Sequence, residues 1–312
     1  MLQYLIILLD HTSTTFCSLT PIPSPKGEGS SLMPLETLKH GIRFGMMENL
    51  MIQYVYPDCE LPAEYAAVIE SIDHSKIKPA NNGADVWVTE SIKDIKAEVP
   101  VVWRTDKQSL FNNEVNITKA LENVPRLNIM LTDIETFTDD DFTAYKSLLE
   151  KLSKAIEQMY IEGKVPQLNL LTDRMMLQKM NNCGAGDTTI TLAPNGKFYV
   201  CPAFYYEDEK NSVGDLEHGV DIKNKQLYKL EYATICRHCD AYQCKRCVWL
   251  NRKMTLEVNT PSREQCILAH LERNASRELL LNIRKHGTFL PEQEVIKEID
   301  YLDPFDKRDE WQ

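Results

Sequence analysis

The first half of the chain alternates short apolar runs with segments whose apolar residues recur at helical spacing. Tyr4 to Leu9 is an unbroken apolar run and reads as a buried parallel strand. Residues 18–33, SLTPIPSPKGEGSSLM, are rich in Pro, Ser and Gly and read as a loop. Pro34 takes a favoured first helical position, and Leu35, Leu38, Ile42 and Met46 keep a helical period through residue 49. Met51 to Tyr56 is the next strand, ended by Pro57, and Pro62 opens a helix that reaches Ile72. Further strands are expected at 85–89 (DVWVT), 100–104 (PVVWR), Leu127 to Leu131 and Gln167 to Leu171, with a short helix at 116–123. Thr138, followed by three acids, caps a long helix that runs to about Glu162 and stops at Gly163. Repeated βα units predict a parallel sheet with right-handed crossovers. Five or six strands are too few to close an eight-stranded barrel, so the expected class is α/β, an open partial (β/α) barrel.

From about residue 181 the texture changes. Residues 188–192 (TTITL) and 197–201 (KFYVC) flank Ala193-Pro194-Asn195-Gly196, a hairpin with an Asn-Gly turn signal. Cysteine-rich loops follow, then a charged amphipathic helix over 262–285 and a polar, acidic tail over 286–312. The expected organisation is a partial barrel over 1–180, a cysteine-rich domain over 181–285, and the tail.

Charge and cysteine content narrow the function. The net charge is -11, the wrong sign for a phosphate-backbone binder, so nucleic acid is not an expected partner. The apolar run 2–9 is far shorter than the roughly 20 residues that span a bilayer, and it lacks the flanks of a signal peptide. No membrane association and a cytoplasmic location are expected. Of nine cysteines, Cys17 and Cys59 stand alone, and the other seven fall within 84 residues. In a reducing compartment that concentration reads as metal ligation rather than disulfides. Its core is Cys236-Arg-His-Cys239 and Cys244-Lys-Arg-Cys247, two C-x-x-C knuckles of the kind that serve both zinc and iron–sulfur sites. A single structural zinc needs four ligands and leaves Cys183, Cys201 and Cys266 unexplained. Two 4Fe–4S clusters would use all seven, with one iron left open. Iron–sulfur is therefore the preferred reading, and a zinc-stabilised interaction module without redox role is the alternative. Arg237, Lys245, Arg246, Arg252 and Lys253 stand against one acid, Asp240, and positive neighbours favour thiolates.

At these residues the sequence resembles the SPASM auxiliary-cluster domain of radical-SAM peptide-modifying enzymes. Cys183 leads, Gly196 and Cys201 form a Gly-x4-Cys, Cys236 to Cys247 form the four-cysteine run, and Cys266 closes. The run is contracted relative to that family's. The resemblance implies that Cys183, Cys201 and Cys247 hold one cluster and that Cys236, Cys239, Cys244 and Cys266 hold the other. The segments MLQYLIILLD, PLETLKHGIRFGMMENLMIQYVYPD and CPAFYYEDEKNSVGDLE are similar to the CXXX repeat peptide maturases, with residues 20–31 foreign to the likeness and read as an insertion. That likeness implies a cysteine-repeat precursor peptide and a companion radical-SAM enzyme as partners.

The departure lies in the loop after the first strand. Active radical-SAM enzymes place Cys-x3-Cys-x2-Cys there; here Cys17 is followed by Pro21 and Ser24. A Gly-Gly-Glu-type motif is replaced by Tyr56-Pro57-Asp58. S-adenosylmethionine is therefore not an expected cofactor, the chain is not expected to be an active radical-SAM enzyme by itself, and Cys17 reads as a packing thiol. Asp10-His11, Asp133 with Glu135, and His238 are weaker candidates, with capping or solvated roles the plainer reading. Trp249 and Phe204-Tyr205-Tyr206 are expected to pack around the cysteines. No catalytic constellation stands out.

Overall fold

The computed structural model describes residues 1–19 and 32–304; the expected insertion at 20–31 and the last eight residues of the tail lie outside them. In chain order the elements are β1 (Tyr4–Leu8), α1 (Leu35–Met47), β2 (Met51–Val55), α2 (Ala63–Ile69), β3 (His74–Lys78), β4 (Val86–Thr89), β5 (Val101–Thr105), α3 (Lys107–Phe111), α4 (Glu114–Asn123), β6 (Leu127–Leu131), α5 (Asp139–Ile161), α6 (Thr172–Met176), β7 (Thr189–Leu192), β8 (Phe198–Tyr199), α7 (Pro202–Glu207), α8 (Val248–Thr255) and α9 (Arg263–Arg284). They fall into two compact units that interleave along the sequence. The first comprises Met1–Thr89, Val99–Arg104 and Cys183–Tyr232; the second comprises Glu90–Glu98, Thr105–Asn182 and Ala233–Gln312.

The first unit is built on an open, mostly parallel sheet in which the strands run β5-β4-β3-β2-β1-β7-β8. Among the described strands of this sheet only the β7–β8 pair is antiparallel. β1 is paired in parallel on both sides, with Tyr4 opposite Met51 on β2 and opposite Thr189 on β7. A strand so placed must be apolar along its whole length, and Leu5 to Leu9 are all buried. The hairpin that opens the cysteine-rich region thus extends the parallel sheet, a union that turn chemistry alone does not reveal. One core cluster joins Leu5, Ile7 and Leu9 to Leu38 and Ile42 of α1, Ile52 and Tyr54 of β2, and Ile190, Leu192 and Phe198 of the hairpin.

The second unit is mainly helical, with α5 packed along α9. Thr138 and Asp141 form a reciprocal capping box at the start of α5, and Gly163, at φ +80°, follows its end. The strand expected at Gln167–Leu171 does not form; a single bridge, Leu127 to Leu168, is all that pairs there. The reason is Asn169. Its carboxamide oxygen accepts from the Ile129 amide at 2.8 Å and its nitrogen donates to the Ile129 carbonyl at 2.9 Å, so a side chain takes the ladder positions of a neighbouring backbone. Among the described residues no helix is long and apolar enough to cross a membrane.

Candidate metal centre

Four of the seven clustered cysteines come together within the second unit. Cys236 and Cys239 bracket a tight turn, Cys244 closes a second turn, and Cys266 lies in the first turn of α9. Cys244, Cys236 and Cys239 are each close enough to Cys266 for their charges to add to burial in raising its thiol. Backbone amides point at the sulfurs: Ala241 donates to Cys239 Sγ at 3.5 Å and Arg246 to Cys244 Sγ at 3.4 Å. Such N–H···S bonds are a usual means of stabilising and tuning thiolates on iron. His270 Nε2 stands 3.6 Å from Cys239 Sγ, and burial holds its imidazole toward the neutral form.

Burial also holds the four thiols protonated. It pushes Cys236 up to about 11, against the nearby Arg246 guanidinium, and Cys244 up to about 12; Cys239 and Cys266 move the same way. Ligation must therefore displace protons, and metal affinity must fall in acid. Among the described residues no three His, Cys, Asp or Glu side chains converge closely enough to hold a single metal ion. By its chemistry, four buried thiols with amide donors on two of the sulfurs, the donor set fits a 4Fe–4S cluster. The cluster, when bound, would supply one-electron redox chemistry and a rigid crosslink of the loop to α9.

A polar network fixes the loop that carries these thiols. Arg273, on α9, donates from Nε to Asp240 Oδ1 at 2.8 Å and from Nη2 to Oδ2 at 2.6 Å. Arg174 of α6 reaches Asp240 at 3.4 Å and lies 4.4 Å over the Tyr242 ring. Burial raises the Asp240 carboxyl, but the Arg273 pair and Arg174 outweigh it and hold it below the usual range. Gln243 donates to the Ala269 carbonyl at 2.7 Å and to Glu272 at 3.2 Å, and Glu272 accepts from the Tyr145 hydroxyl at 2.7 Å. Burial pushes Glu272 up to about 7. Gln265 of α9 takes the Cys247 amide at 3.3 Å and donates to Asn251 of α8 at 2.8 Å. Arg246, which the sequence groups with a basic surface, is buried beside Cys236; Arg237 is exposed and Lys245 half-buried.

The remaining three cysteines are divided. Cys247 caps α8 in the second unit, while Cys183 and Cys201 belong to the first. Cys183 is exposed and its carbonyl accepts from Thr189 Oγ1 at 2.9 Å. Cys201 is buried at the start of α7. The sequence pairs Cys17 with nothing, yet the structure sets its sulfur against the Cys201 thiol, with the Thr15 hydroxyl and the Ala203 amide as further donors and Arg104 nearby. The Cys201 contact is the main cause holding Cys17 below the ordinary thiol range, against burial.

These arrangements can be set beside known proteins. No family model matches the sequence, and no curated protein matches it. Solved structures do. Histidine-tagged anSMEcpe with bound AdoMet is 13% identical, superposes with a TM-score of 0.63, and the match covers 92% of this chain and 96% of that one. Native anSMEcpe with bound AdoMet and the Cp18Cys peptide gives 0.61 at 12% identity over 91% and 99%. The likeness is one of fold: this chain shares the α/β architecture of anSMEcpe over nearly its whole length. Streptococcus suis SuiB bound to its precursor peptide SuiA matches over 66% of this chain and 61% of its own, with a TM-score of 0.39 and 10% identity.

The weaker candidates have structural work. Asp10 accepts from the Thr12 amide at 2.6 Å and from its hydroxyl at 2.5 Å, and His11 meets the Tyr205 hydroxyl. Asp133 accepts the Lys107 amide at 3.1 Å, and Glu135 pairs with Lys253. His238 is exposed. Trp249 is buried in α8, and Phe204, Tyr205 and Tyr206 are buried in α7.

Proposed function

We propose that this chain is an iron–sulfur protein of a ribosomal peptide modification system, one that binds a Cys-x-x-x repeat precursor peptide and serves a companion radical-SAM enzyme. The observation that carries the reading is the set of four electrostatically coupled thiols, Cys236, Cys239, Cys244 and Cys266, with backbone amide donors on the Cys239 and Cys244 sulfurs. Cys183, Cys201 and Cys247 are the candidates for a second cluster. The fold, shared with an enzyme whose structure holds a peptide beside AdoMet, supports a peptide as the ligand class. The exposed Arg237 and the half-buried Lys245 flank the four-thiol loop and offer charge to an acidic segment.

The first test is composition. Protein prepared without oxygen should contain iron and acid-labile sulfide; stoichiometric zinc with no sulfide after anaerobic reconstitution would overturn the iron–sulfur reading. The second is binding. A Cys-x-x-x repeat peptide should bind the iron-loaded protein, more weakly after Arg237→Glu with Lys245→Glu, and more weakly again when the peptide's cysteines become serine. Unchanged affinity in both experiments would remove the peptide from this loop.

A further inference from the structure

A buried imidazole from α9 reaches one sulfur of the four-thiol loop. His270 lies one helical turn after Cys266, at i+4, so both side chains leave the same face of α9. The residue is 6% exposed, and the Tyr301 ring stands edge-on against it with centroids 5.8 Å apart. Its Nε2 lies 3.6 Å from Cys239 Sγ, within reach of a hydrogen bond to sulfur. The same sulfur receives the Ala241 amide at 3.5 Å. Asp240, the residue after Cys239, is held by the Arg273 fork from the next turn of α9. Loop and ring are thus fixed against each other from both sides, the loop by Arg273 and the ring by α9 and Tyr301. Which partner donates depends on ligation. A free thiol can give its S–H to an imidazole nitrogen, but a sulfur bound to iron has lost its proton and only accepts. The ring must then face Cys239 with hydrogen on Nε2.

We propose that His270 donates Nε2–H to the Cys239 sulfur when that residue ligates iron, and so raises the reduction potential of the cluster held by Cys236, Cys239, Cys244 and Cys266. The inference rests on the iron–sulfur reading given above and deepens it. One-electron reduction adds negative charge that spreads onto the ligating sulfurs. An N–H aimed at such a sulfur favours the reduced form, because a hydrogen bond strengthens with the negative charge on its acceptor. Burial enlarges the difference, since little water screens it. His270 acts through Cys239 and supplies no bond to iron, so it is a positioning residue whose effect belongs in the potential and not in the iron content. It is also a side chain, whereas Ala241 and Arg246 reach their sulfurs through the backbone, so substitution can remove it without touching the loop's main chain.

The test uses full-length protein loaded with iron and sulfide without oxygen, then titrated with dithionite and followed by EPR. His270→Phe keeps a ring and removes the donor. It should shift the reduction equilibrium about tenfold toward the oxidised form, a fall of about 59 mV for one electron. His270→Gln, whose amide can place an N–H near the same sulfur, should recover part of that shift. Iron and sulfide should match wild type in both variants. A potential unmoved in His270→Phe at full iron content, or moved equally in both variants, overturns the proposal. Should the variants fail to fold, the wild-type chain decides. With ¹⁵N-labelled histidine, pulsed EPR of the reduced protein should show nitrogen coupled to the cluster, and the coupling should survive His238→Gln, since His238 is exposed beside Cys239. No coupling, or coupling lost with His238, overturns it as well. Failure of the iron–sulfur reading looks different: the wild-type protein then takes up no iron and sulfide, and the role of His270 falls with it.

Discussion

Among single residues, Asp240 and Arg273 bear most on the four-thiol loop. Arg273 has a side chain only 1% exposed, and its guanidinium is committed to the carboxylate next to Cys239 through two parallel bonds. A buried ion pair of this kind adds little against an apolar pair, but removing one partner strands the other. Arg273→Ala leaves Asp240 one-third exposed and still paired with Arg174, so it is expected to cost about 1–3 kcal/mol, read as a lowered denaturation midpoint. Arg273→Lys keeps the charge but not the fork, and should fall between. A loss below about 1 kcal/mol would show the pair to be a surface contact in effect. The sequence shows Asp240 only as the lone acid in a basic stretch, because its partner lies 33 residues away on α9. Cysteine spacing, by contrast, is local and can be read directly from Cys236, Cys239, Cys244 and Cys247. The same distance blindness hid the Cys17–Cys201 contact, whose partners are joined only by the folding of β1 and α7 onto one sheet.

At the scale of elements, apolar runs were the readable signal and polar substitutes for them were not. β1, β2, β5 and β6 each bury several apolar residues and stand within a residue or so of their expected places. β3 is HSKIK, with Ile77 its one buried residue, and no periodic pattern betrays it. Packing of α1 is the other element-scale feature that sequence leaves open. Gly41 and Gly45 let the helix sit directly on the sheet: a Cβ at Gly41 would stand 2.3 Å from Leu192 Cδ2, and one at Gly45 would stand 2.8 Å from Ile52 Cδ1. Helix propensity alone would reward Gly41→Ala by about 1 kcal/mol. Overpacking against a fully buried Leu192 opposes it at about 1–3 kcal/mol. Gly41→Val should therefore destabilise clearly, and combining it with Leu192→Ala should recover part of the loss in a double-mutant cycle. Additive losses in that cycle would mean that α1 moves off the sheet instead.

At the scale of the whole molecule, fold and chemistry separate. The chain superposes on anSMEcpe over nearly its full length, and that structure holds AdoMet, yet a shared fold transfers no reaction. The ligands decide. A cluster that leaves one iron free for S-adenosylmethionine needs three protein thiolates, and between β1 and the second strand the sequence offers Cys17 alone; Cys59 follows β2. Cys17 itself is already engaged with Cys201. On that count the β1 loop alone is not expected to hold such a cluster. The expectation is that iron-loaded protein with a strong one-electron reductant and S-adenosylmethionine yields no more 5′-deoxyadenosine than a Cys17→Ala control, while addition of a competent companion enzyme restores its formation. Iron content should also be unchanged by Cys17→Ala and reduced by Cys239→Ala, because the second substitution removes a ligand from the four-thiol loop and, with it, ligation energy that helps fold the second unit. Product above the Cys17→Ala background from the protein alone would restore a catalytic site to the β1 loop, and iron lost equally in both variants would place Cys17 among the cluster ligands.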